Sequence, residues 1–532
     1  MKTEKSPWPR LLPLIAAILC LSALLNLDYP AGPLVSWRLL LPSADVWLLT
    51  GVMALAACGG RRPLFWTWWA VTILFLALRV FRIGETAVPM YLNRPFNLYI
   101  DSRYLLSVYD LLVTSARQGA FPLMAAGSLM AVLGVIAASA CAWWLSGKAL
   151  SDRRCRTAFL AGSALVLASG PAVGWHAFEP PAVVRFGREL YLTRQRVAQA
   201  GAFARRLENA AKDMTPGAGS LKGLEGADVL LFIVESYGRT VFSRPQYRAK
   251  MTATMTAFGR TLARHGFLAV SDYLVSPTYG GISRLAHATL ESGLRVSDDL
   301  QENALLRSDL PPLAAYFRAG GYRTLSVMPG TRFAFPQGAY FGYDQAYYAA
   351  DFNYQGPAFG WAPMPDQFVL DRVRRREFAR RDKPLFVRYV LISSHAAFNI
   401  QPPFIPDWDL IGDGRIYHDR PPIYFPVFWP DLKNAEVAYL RSLAYEFETL
   451  GDYLAKYVTA DSLIIILGDH QPNPQLTDPD EPWSVPVHVI SRNPRLLAPF
   501  RQRGYTPGVM PDQLLPHAGM ERFMPDFLSD FR

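Results

Sequence analysis

Four side chains that could bind a metal ion or move a proton each follow a short apolar run of the sequence. They are Glu235, His395, Asp469 and His470, and each stands within three residues of the end of its run. If these runs are strands of an open α/β sheet, their carboxyl ends meet at one rim, where such folds bind ligands. Carboxylates and imidazoles are ligands of Zn²⁺ and Mn²⁺. The pattern therefore predicts a site for one divalent cation, Zn²⁺ or Mn²⁺, at that rim.

Each of these residues alone has an ordinary structural explanation. Glu235 could cap a helix that follows its strand, and His395 could be a hydrogen-bonded loop histidine. A lone Asp469-His470 pair after an apolar run is also compatible with a structural role. Their joint placement at the ends of separate runs is what indicates a functional site.

Two hydroxyl side chains are candidates for a nucleophile beside the cation. Thr278 lies in a Pro-Thr-Tyr-Gly-Gly turn, and Ser283 stands five residues later at the start of a predicted helix. A neutral hydroxyl is a weak nucleophile, but binding to a divalent cation lowers its pKa toward neutrality. Both residues also have structural interpretations, Thr278 as a turn residue and Ser283 as a helix N-cap.

Two further histidines have mainly structural interpretations. His287 flanks the helix that begins near Ser283, and we expect it to be solvated or to cap that helix. His488 stands in mid-strand among alternating apolar residues, which predicts a core or rim histidine.

The elements that must position the candidate site alternate between strands and helices. The β-rich apolar runs are Val229–Val234, Phe267–Val270, Arg323–Val327, Leu385–Ile392 and Ser462–Leu467. Helical stretches lie between them at Tyr247–Arg264, Leu310–Ala319, Asp366–Arg380 and Asn434–Val458. This alternation predicts an α/β domain over residues 227–532, with a mostly parallel sheet covered on both faces.

The part of the chain before this domain is apolar. Stretches long enough to cross a hydrocarbon core, about 20 residues each, occur at Leu11–Leu27, Leu34–Cys58, Pro63–Phe81, Phe121–Leu145 and Thr157–Trp175. They predict an N-terminal α-helical transmembrane bundle of five helices over residues 1–176, followed by a helical connector over 177–226. The alternative is three or four spans, and an even number would place the α/β domain on the cytoplasmic side. Basic residues in the short loops place the catalytic domain outside the cytoplasm. The expected location is a bacterial inner (cytoplasmic) membrane, with several spans and a periplasmic or extracytoplasmic α/β domain.

The charge and the cysteines narrow the choice of partners. The formal net charge is +10, but the basic residues are scattered and no nucleic-acid-binding motif is present. We therefore expect contact with anionic lipid headgroups and not with nucleic acid. All four cysteines, Cys20, Cys58, Cys141 and Cys155, precede the α/β domain, so this domain can form no disulfide.

The motifs Leu-Phe-Ile-Val-Glu235, Ser-Ser-His395-Ala-Ala-Phe and Gly-Asp469-His470 resemble those of the alkaline phosphatase/sulfatase superfamily. Membrane spans ahead of such a domain resemble the layout of lipoteichoic acid synthases and phosphoethanolamine transferases, including the cellulose-modifying type. The resemblance implies metal ligands Glu235, Thr278, Asp469 and His470, and a catalytic His395 that contacts the phosphate.

The resemblance also bears on the nucleophile and the substrate contacts. Formylglycine sulfatases carry Cys-x-Pro-Ser-Arg, whereas this chain has Gly280 at the cysteine position, which disfavours sulfatase chemistry. The spacing from Thr278 to Arg284 resembles that of the cellulose phosphoethanolamine transferases, and it favours Thr278 over Ser283 as nucleophile. Arg284 and Trp361 are the implied substrate-binding residues.

The expected function is metal-dependent transfer of a phosphoethanolamine or phosphoglycerol group from a phospholipid donor to an envelope glycan or lipid acceptor, through a phosphothreonine intermediate. Two alternatives stay open. One is a phosphate or sulfate ester hydrolase, which shares the site and differs in using water as acceptor. The other is a non-catalytic membrane-anchored binding protein.

Overall fold

The computed structural model describes residues 8–27, 37–101, 121–173, 181–217, 220–332, 335, 337–378, 382–427, 431–458, 462–514 and 516–532. The chain forms two compact units. One comprises Met1–Pro89, Pro95–Leu105 and Arg117–Arg196, and the other comprises Met90–Arg94, Leu106–Ala116 and Val197–Arg532.

Helices account for the described part of the first unit. They are α1 Trp8–Leu25, α2 Ala44–Ala56, α3 Arg61–Leu92, α4 Leu98–Asp101, α5 Phe121–Leu150, α6 Arg153–Val173 and α7 Ala182–Asp213, the last of which continues into the second unit. Trp143 and Phe75 meet edge to face between α5 and α3, with ring centroids 5.9 Å apart. The buried residues of α1, α2, α3 and α5 belong to one apolar cluster.

The predicted bundle of five membrane spans is not confirmed. Among the described residues, two helical segments are long and apolar enough to cross a membrane, Pro63–Leu92 and Ala125–Leu150. The apolar helices Leu11–Leu25 and Ala44–Gly59 are shorter. The predicted span Thr157–Trp175 ends outside the described residues.

A mixed sheet forms the centre of the second unit. Its strands are β1 Asp228–Val234, β2 Leu268–Val275, β3 Arg323–Met328, β4 Gln345–Tyr348, β5 Leu385–Leu391, β8 Ser462–Gly468, β9 Ser484–Ser491, β10 Thr506–Pro507 and β11 Ala518–Gly519, while β6 Ile400–Gln401 and β7 Ile423–Tyr424 form a separate pair. The order across the sheet is β10-β2-β9-β8-β1-β5-β3-β4, and β11 pairs with β2.

Helices of the second unit connect these strands. They are α8 Thr240–Ser243, α9 Pro245–Arg264, α10 Ser283–Ser292, α11 Asp299–Leu305, α12 Leu313–Ala319, α13 Gly338–Phe341, α14 Asp366–Val373, α15 Glu436–Tyr457, α16 Pro494–Gln502 and α17 Phe523–Asp530.

The direction of the strands decides where the site forms. Strands β8, β1, β5 and β3 are parallel neighbours, as the sequence predicts. Strand β9 runs antiparallel to both β8 and β2, so the sheet is mixed. Because β2 and β8 oppose the same strand, they share one direction, and the loop after β2 opens at the carboxyl rim of the parallel strands.

Alternate residues of β1 pack into different cores, which explains why the whole strand is apolar. Leu230, Phe232 and Val234 join a cluster that includes residues of α9, α14 and α15. Their neighbours in β1 join a second cluster with residues of α12, α16 and α17. The sheet is therefore covered on both faces, as predicted for a buried parallel sheet.

A buried ion pair ties helix α10 to the sheet. Arg388 of β5 is 1% exposed and bonds to Glu291 of α10, which is fully buried. The same guanidinium donates to Ser326 Oγ at 2.6 Å and lies over the ring of Tyr343 at 5.1 Å. This pair fixes the distal end of the helix that begins at Ser283.

We expect Arg388→Ala to lower the free energy of unfolding by about 3–5 kcal/mol, because it leaves the Glu291 carboxylate buried without its partner. Denaturant unfolding of the full chain in detergent, followed by near-UV circular dichroism, measures this loss. Arg415→Ala is the matched control, since the Arg415 side chain is 74% exposed. A loss below about 1 kcal/mol for Arg388→Ala would contradict the anchoring role.

Candidate active site

Glu235 follows β1 directly and is 6% exposed. Its backbone N–H donates to Leu391 O at 3.3 Å, which joins it to the end of β5. The next residue, Ser236, has a φ of 59°, a left-handed conformation that is uncommon outside glycine. The Ser236 N–H donates to Asp469 Oδ1 at 2.9 Å. The turn after β1 is thereby bonded to the turn after β8.

Asp469 and His470 stand at the end of β8 and are each 1% exposed. His470 Nδ1 lies 2.7 Å from Gln471 O. A carbonyl oxygen can only accept, so Nδ1 carries a proton and Nε2 is the nitrogen that faces the cluster. Nε2 lies 3.2 Å from Glu235 Oε1 and 3.5 Å from Asp469 Oδ2. The imidazole is thus oriented so that Nε2 could bind a metal ion once its own proton is displaced.

These three side chains form a cluster that fits a divalent cation. Ligand atoms of Glu235, Asp469 and His470 all lie within 4.8 Å of one another, and all three residues are buried. In the part of the chain that the structure describes, Asp469 Oδ2 has no hydrogen-bond donor although it is buried, and an unpaired buried carboxylate oxygen is costly. Two carboxylates and an imidazole are donors that suit Zn²⁺ or Mn²⁺.

The cluster is also electrostatically coupled. Burial opposes ionisation of Glu235, but the His470 imidazole outweighs it and holds the pKa of this carboxyl well below its usual range. Burial and the charge of Glu235 raise the pKa of Asp469. Burial disfavours the charged form of His470, yet Asp469 and Glu235 together raise its pKa. Protons therefore offset part of the negative charge of this cluster, and a bound cation would displace them.

Ser283 presents its hydroxyl to this cluster. Its Oγ donates to Glu235 Oε2 at 3.0 Å and lies 3.1 Å from His470 Nε2. Ser283 is the first residue of α10, and the residue before it, Ile282, has a φ of 62°. A β-branched residue in this conformation is strained. The strained turn directs the start of α10 at the metal-ligand residues.

Thr278 is held differently. Its side-chain hydroxyl donates to Gly281 O at 2.6 Å, and its N–H bonds to Ser276 Oγ at 3.3 Å. These contacts close the turn that precedes α10. The preference for Thr278 as nucleophile and metal ligand stays a prediction, and the hydroxyl that contacts the cluster is that of Ser283.

His395, Trp361 and Arg332 form a second group near the cluster. The Trp361 and His395 rings stack with centroids 3.8 Å apart and an interplanar angle of 11°. His395 Nδ1 lies 2.6 Å from Ala396 O, so Nδ1 donates and Nε2 is the nitrogen left for a substrate. Burial lowers the pKa of His395, and Glu235 acts in the opposite direction. The structure places the His395 and Trp361 side chains in contact, and the roles expected of them stay predictions.

Sequence reasoning missed Arg332. Its guanidinium bonds to Trp361 O and lies 5.5 Å from the centre of the Trp361 ring. Its charge also lowers the pKa of His395. Arg332 follows β3 by four residues, and strand β3 ends at the same rim as β5. The sequence feature that could have identified Arg332 is its position shortly after a predicted strand.

Arg284, which the sequence assigned to the substrate, makes ion pairs with Asp299 and Glu302 of α11. Both carboxylates are largely buried, at 8% and 7% side-chain exposure. These contacts anchor the start of α10 to α11. A phosphate contact by Arg284 stays a prediction.

The expectation that His287 is solvated or a capping residue is wrong. It lies inside α10 and is 5% exposed, with no hydrogen-bond partner for Nε2. Burial and the charge of Arg388 lower its pKa to about 3, so the ring is neutral. His488 is confirmed as a core histidine, because its two ring nitrogens bond to Ser271 Oγ at 2.7 Å and Tyr237 OH at 2.9 Å.

No protein-family model matches this chain, and no curated protein matches it. Solved structures do. One is the lipoteichoic acid synthase LtaP from Listeria monocytogenes, with 16% identity over 60% of this chain and 76% of that one, at a TM-score of 0.38. Another is the C-terminal periplasmic domain of EcEptC from Escherichia coli, with 17% identity over 51% and 74%, at a TM-score of 0.34.

A third similar structure is the Streptococcus pyogenes phosphoglycerol transferase GacH in complex with sn-glycerol-1-phosphate. It shares 10% identity over 62% of this chain and 91% of that one, at a TM-score of 0.37. These are the kinds of protein that the sequence motifs resemble. At these identities and TM-scores they carry no argument about substrate, which has to come from the site itself.

Proposed function

We propose that this protein is a metal-dependent phosphotransferase that moves a phosphoglycerol or phosphoethanolamine group from a phospholipid to an envelope glycan or lipid. Glu235, Asp469 and His470 hold one divalent cation, Zn²⁺ or Mn²⁺. Ser283 is the nucleophile in place of Thr278, so the covalent intermediate is a phosphoserine ester. His395 and Arg332 contact the transferred phosphate.

One observation carries this proposal. The Ser283 hydroxyl lies within hydrogen-bond distance of both Glu235 and His470, at 3.0 and 3.1 Å. A nucleophile beside a base or metal ligand is the signature of covalent catalysis. Ser283 also lies at the start of α10, where the backbone N–H groups and the positive end of the helix dipole favour binding of an anionic phosphoryl group.

The residues support a two-step transfer. Glu235, Asp469 and His470 would hold a divalent cation, which would lower the pKa of the Ser283 hydroxyl and offset charge on the phosphoryl oxygens. As Ser283 Oγ forms its bond to phosphorus, its proton is released to solvent, because the lowered pKa of Glu235 makes that carboxylate a poor proton acceptor. The bond from phosphorus to the diacylglycerol oxygen breaks, and that oxygen takes up a proton from solvent.

In the second step an acceptor hydroxyl attacks the phosphoserine ester. Its proton passes to Nε2 of His395, the bond from phosphorus to the Ser283 oxygen breaks, and that oxygen takes up a proton from solvent. A lowered pKa leaves His395 neutral at physiological pH, as a proton acceptor must be. If water replaces the acceptor, the same steps give a phosphodiesterase, so hydrolysis is the alternative outcome at this site.

Membrane attachment supports a lipid donor. In the helix Pro63–Leu92, 28% of the most apolar 18-residue segment is buried within the protein, and in Ala125–Leu150 the share is 11%. Large apolar side chains on them are exposed, such as Trp66 at 71% and Met130 at 68%. Surfaces of this kind contact lipid or another protein. We propose that the protein is anchored in the bacterial inner membrane with its catalytic domain outside the cytoplasm.

Fluorescent phospholipids test the proposed reaction. The purified full chain is incubated with labelled phosphatidylglycerol or phosphatidylethanolamine and Mn²⁺ or Zn²⁺, and diacylglycerol release is followed. We expect release from one of the two lipids, and no release with excess EDTA. Binding of metal without release from either lipid would overturn the lipid-donor proposal and favour the non-catalytic binding protein.

We expect Arg332→Ala to raise KM for the lipid about tenfold, equivalent to about 1.4 kcal/mol, because it removes a charge-assisted hydrogen bond to phosphate. Arg332→Lys should recover part of this loss, since lysine keeps the charge but not the fork of donors. Initial rates over a range of lipid concentrations measure both variants. An unchanged KM in Arg332→Ala would rule out the phosphate contact.

A further inference from the structure

A second pair of buried carboxyl groups lies outside the metal-ligand cluster. Asp366 is the first residue of α14 and Glu446 lies within α15, and both side chains are fully buried. Each of the two carboxyl groups affects the pKa of the other. Neither the proposed metal site nor the proposed reaction uses them.

The surroundings of the two carboxyl groups call for a proton between them. Among the described residues, no side-chain or backbone donor has good hydrogen-bond geometry to Asp366 Oδ1 or to either carboxyl oxygen of Glu446, although the N–H groups of Ser393 and Ser394 are near enough to Glu446 to affect its pKa. Two carboxylates in contact in a dry interior cannot both be ionised. A proton held between them supplies the missing donor and leaves the pair with a single negative charge.

The Asp366 carboxylate binds the turn after β5 through hydrogen bonds. Its Oδ2 accepts from the N–H groups of Ile392 at 2.7 Å and Ser393 at 2.6 Å. Its own N–H donates to Ser393 Oγ at 3.1 Å. Three hydrogen bonds thus join the start of α14 to two consecutive residues of this turn.

The same turn carries groups of the proposed active site. The His395 N–H donates to Ile392 O at 3.0 Å. Ser394 Oγ donates to the backbone oxygen of Glu235 at 2.7 Å. A shift of the Ile392–Ser394 backbone would therefore move the His395 ring relative to the metal-ligand residues.

We propose that Asp366 and Glu446 are a proton-sharing pair of positioning residues that hold the Ile392–Ser394 turn and so place His395 at the reacting phosphate. The expected effect on catalysis rests on the proposed function, whereas the hydrogen bonds that hold the turn do not depend on it. The pair acts through the backbone and does not touch the substrate.

The electrostatics of the pair agree with a shared proton. Burial and Asp366 raise the pKa of Glu446, and burial raises that of Asp366. N–H groups of Ser393 and Ser394 act in the opposite direction on Glu446. Tyr445 is a further titratable side chain whose pKa both carboxyl groups affect, and burial raises that pKa. Each of these groups is neutral or shares the single charge near neutral pH.

Substitutions at Glu446 test the proposal. Glu446→Gln keeps the shape and supplies a permanent donor to Asp366, so we expect kcat within about twofold of wild type. Glu446→Leu removes the donor, and we expect a fall in kcat of about tenfold or more with KM for the lipid and metal content unchanged. Hydrogen–deuterium exchange of the backbone around Ile392–His395 should accelerate in Glu446→Leu and not in Glu446→Gln.

A pH series separates positioning from simple stabilisation. The raised pKa of Glu446 means that the folded protein loses stability as pH rises from the unfolded value of 4.5. Glu446→Gln lacks this loss, so its Tm should exceed that of wild type by a margin that widens between pH 5 and pH 8. The wild-type kcat should also fall at high pH where that of Glu446→Gln does not.

The outcomes distinguish the two proposals. If wild type turns over no lipid but exchange around Ile392–His395 accelerates in Glu446→Leu, the proposed function fails and the pair still holds the turn. If Glu446→Leu is folded and shows wild-type kcat and wild-type exchange, the positioning role is overturned. Equal loss of kcat in the Gln and Leu variants would also overturn it, because the proton donor would then not be what matters.

Discussion

Ser283→Ala is expected to lower the rate of diacylglycerol release by at least about a thousandfold, because loss of a catalytic nucleophile leaves only binding and electrostatic stabilisation. The Ser283 hydroxyl contacts Glu235 and His470, and alanine keeps the helix start without the oxygen. Fluorescent lipid turnover measures the effect, and KM should change little.

Thr278→Ala is the matched control for this substitution. The Thr278 hydroxyl bonds to Gly281 O within its own turn, so its loss should cost about 1 kcal/mol of stability and less than about tenfold in rate. A loss confined to Thr278→Ala, with Ser283→Ala active, would show that the nucleophile is the threonine and that the hydroxyl nearest the cluster is not the reacting group.

Asp469→Ala is expected to abolish metal binding and turnover together. Asp469 supplies a buried oxygen that has no donor among the described residues, and removal of one of three ligand residues typically costs a large part of the affinity. Metal content by inductively coupled plasma mass spectrometry should fall from about one ion per chain to near zero. Metal at 100 times Kd should stabilise wild type by about 2.7 kcal/mol and leave the variant unchanged.

Asp480→Ala is the control for Asp469→Ala, since Asp480 lies in the exposed loop after β8. It should retain metal content, thermal stabilisation by metal, and turnover. Full metal content in Asp469→Ala would contradict the assignment of the cluster as the cation site.

The rim of the site could be predicted from the sequence because strand ends are local signals. Glu235, His395, Asp469 and His470 each follow an apolar run, and parallel strands bring such ends together. Three of the four predicted ligand residues, Glu235, Asp469 and His470, lie together in the structure, whereas the role of Thr278 stays a prediction. Strand order was not needed for this, because any arrangement of parallel neighbours gives a shared rim.

The choice between the two hydroxyls could not be predicted from spacing. Thr278 and Ser283 are five residues apart on one loop, and what separates them is the left-handed conformation at Ile282 and the turn closed by Thr278. Neither feature has a sequence signal, since isoleucine rarely adopts such a conformation. Arg332 was missed for a similar reason, because its contact with Trp361 joins segments distant in sequence.

The hydropathy pattern also could not predict the direction of the antiparallel strand β9 or the short N-terminal helices. A fully buried antiparallel strand is as apolar as a parallel one, so Ser484–Ser491 carries no mark of its direction. Hydropathy measures the length of an apolar stretch and not of the helix within it, so Leu34–Cys58 predicted a longer helix than Ala44–Ala56.

The covalent intermediate is the most direct test of the central claim. The full chain is mixed with its lipid donor and metal in the absence of acceptor, quenched in acid, digested, and sequenced by fragmentation mass spectrometry. We predict a phosphoglycerol or phosphoethanolamine ester on Ser283 in wild type, and none in Ser283→Ala. An ester on Thr278, or diacylglycerol release with no modified residue in a rapidly quenched sample, would contradict the account.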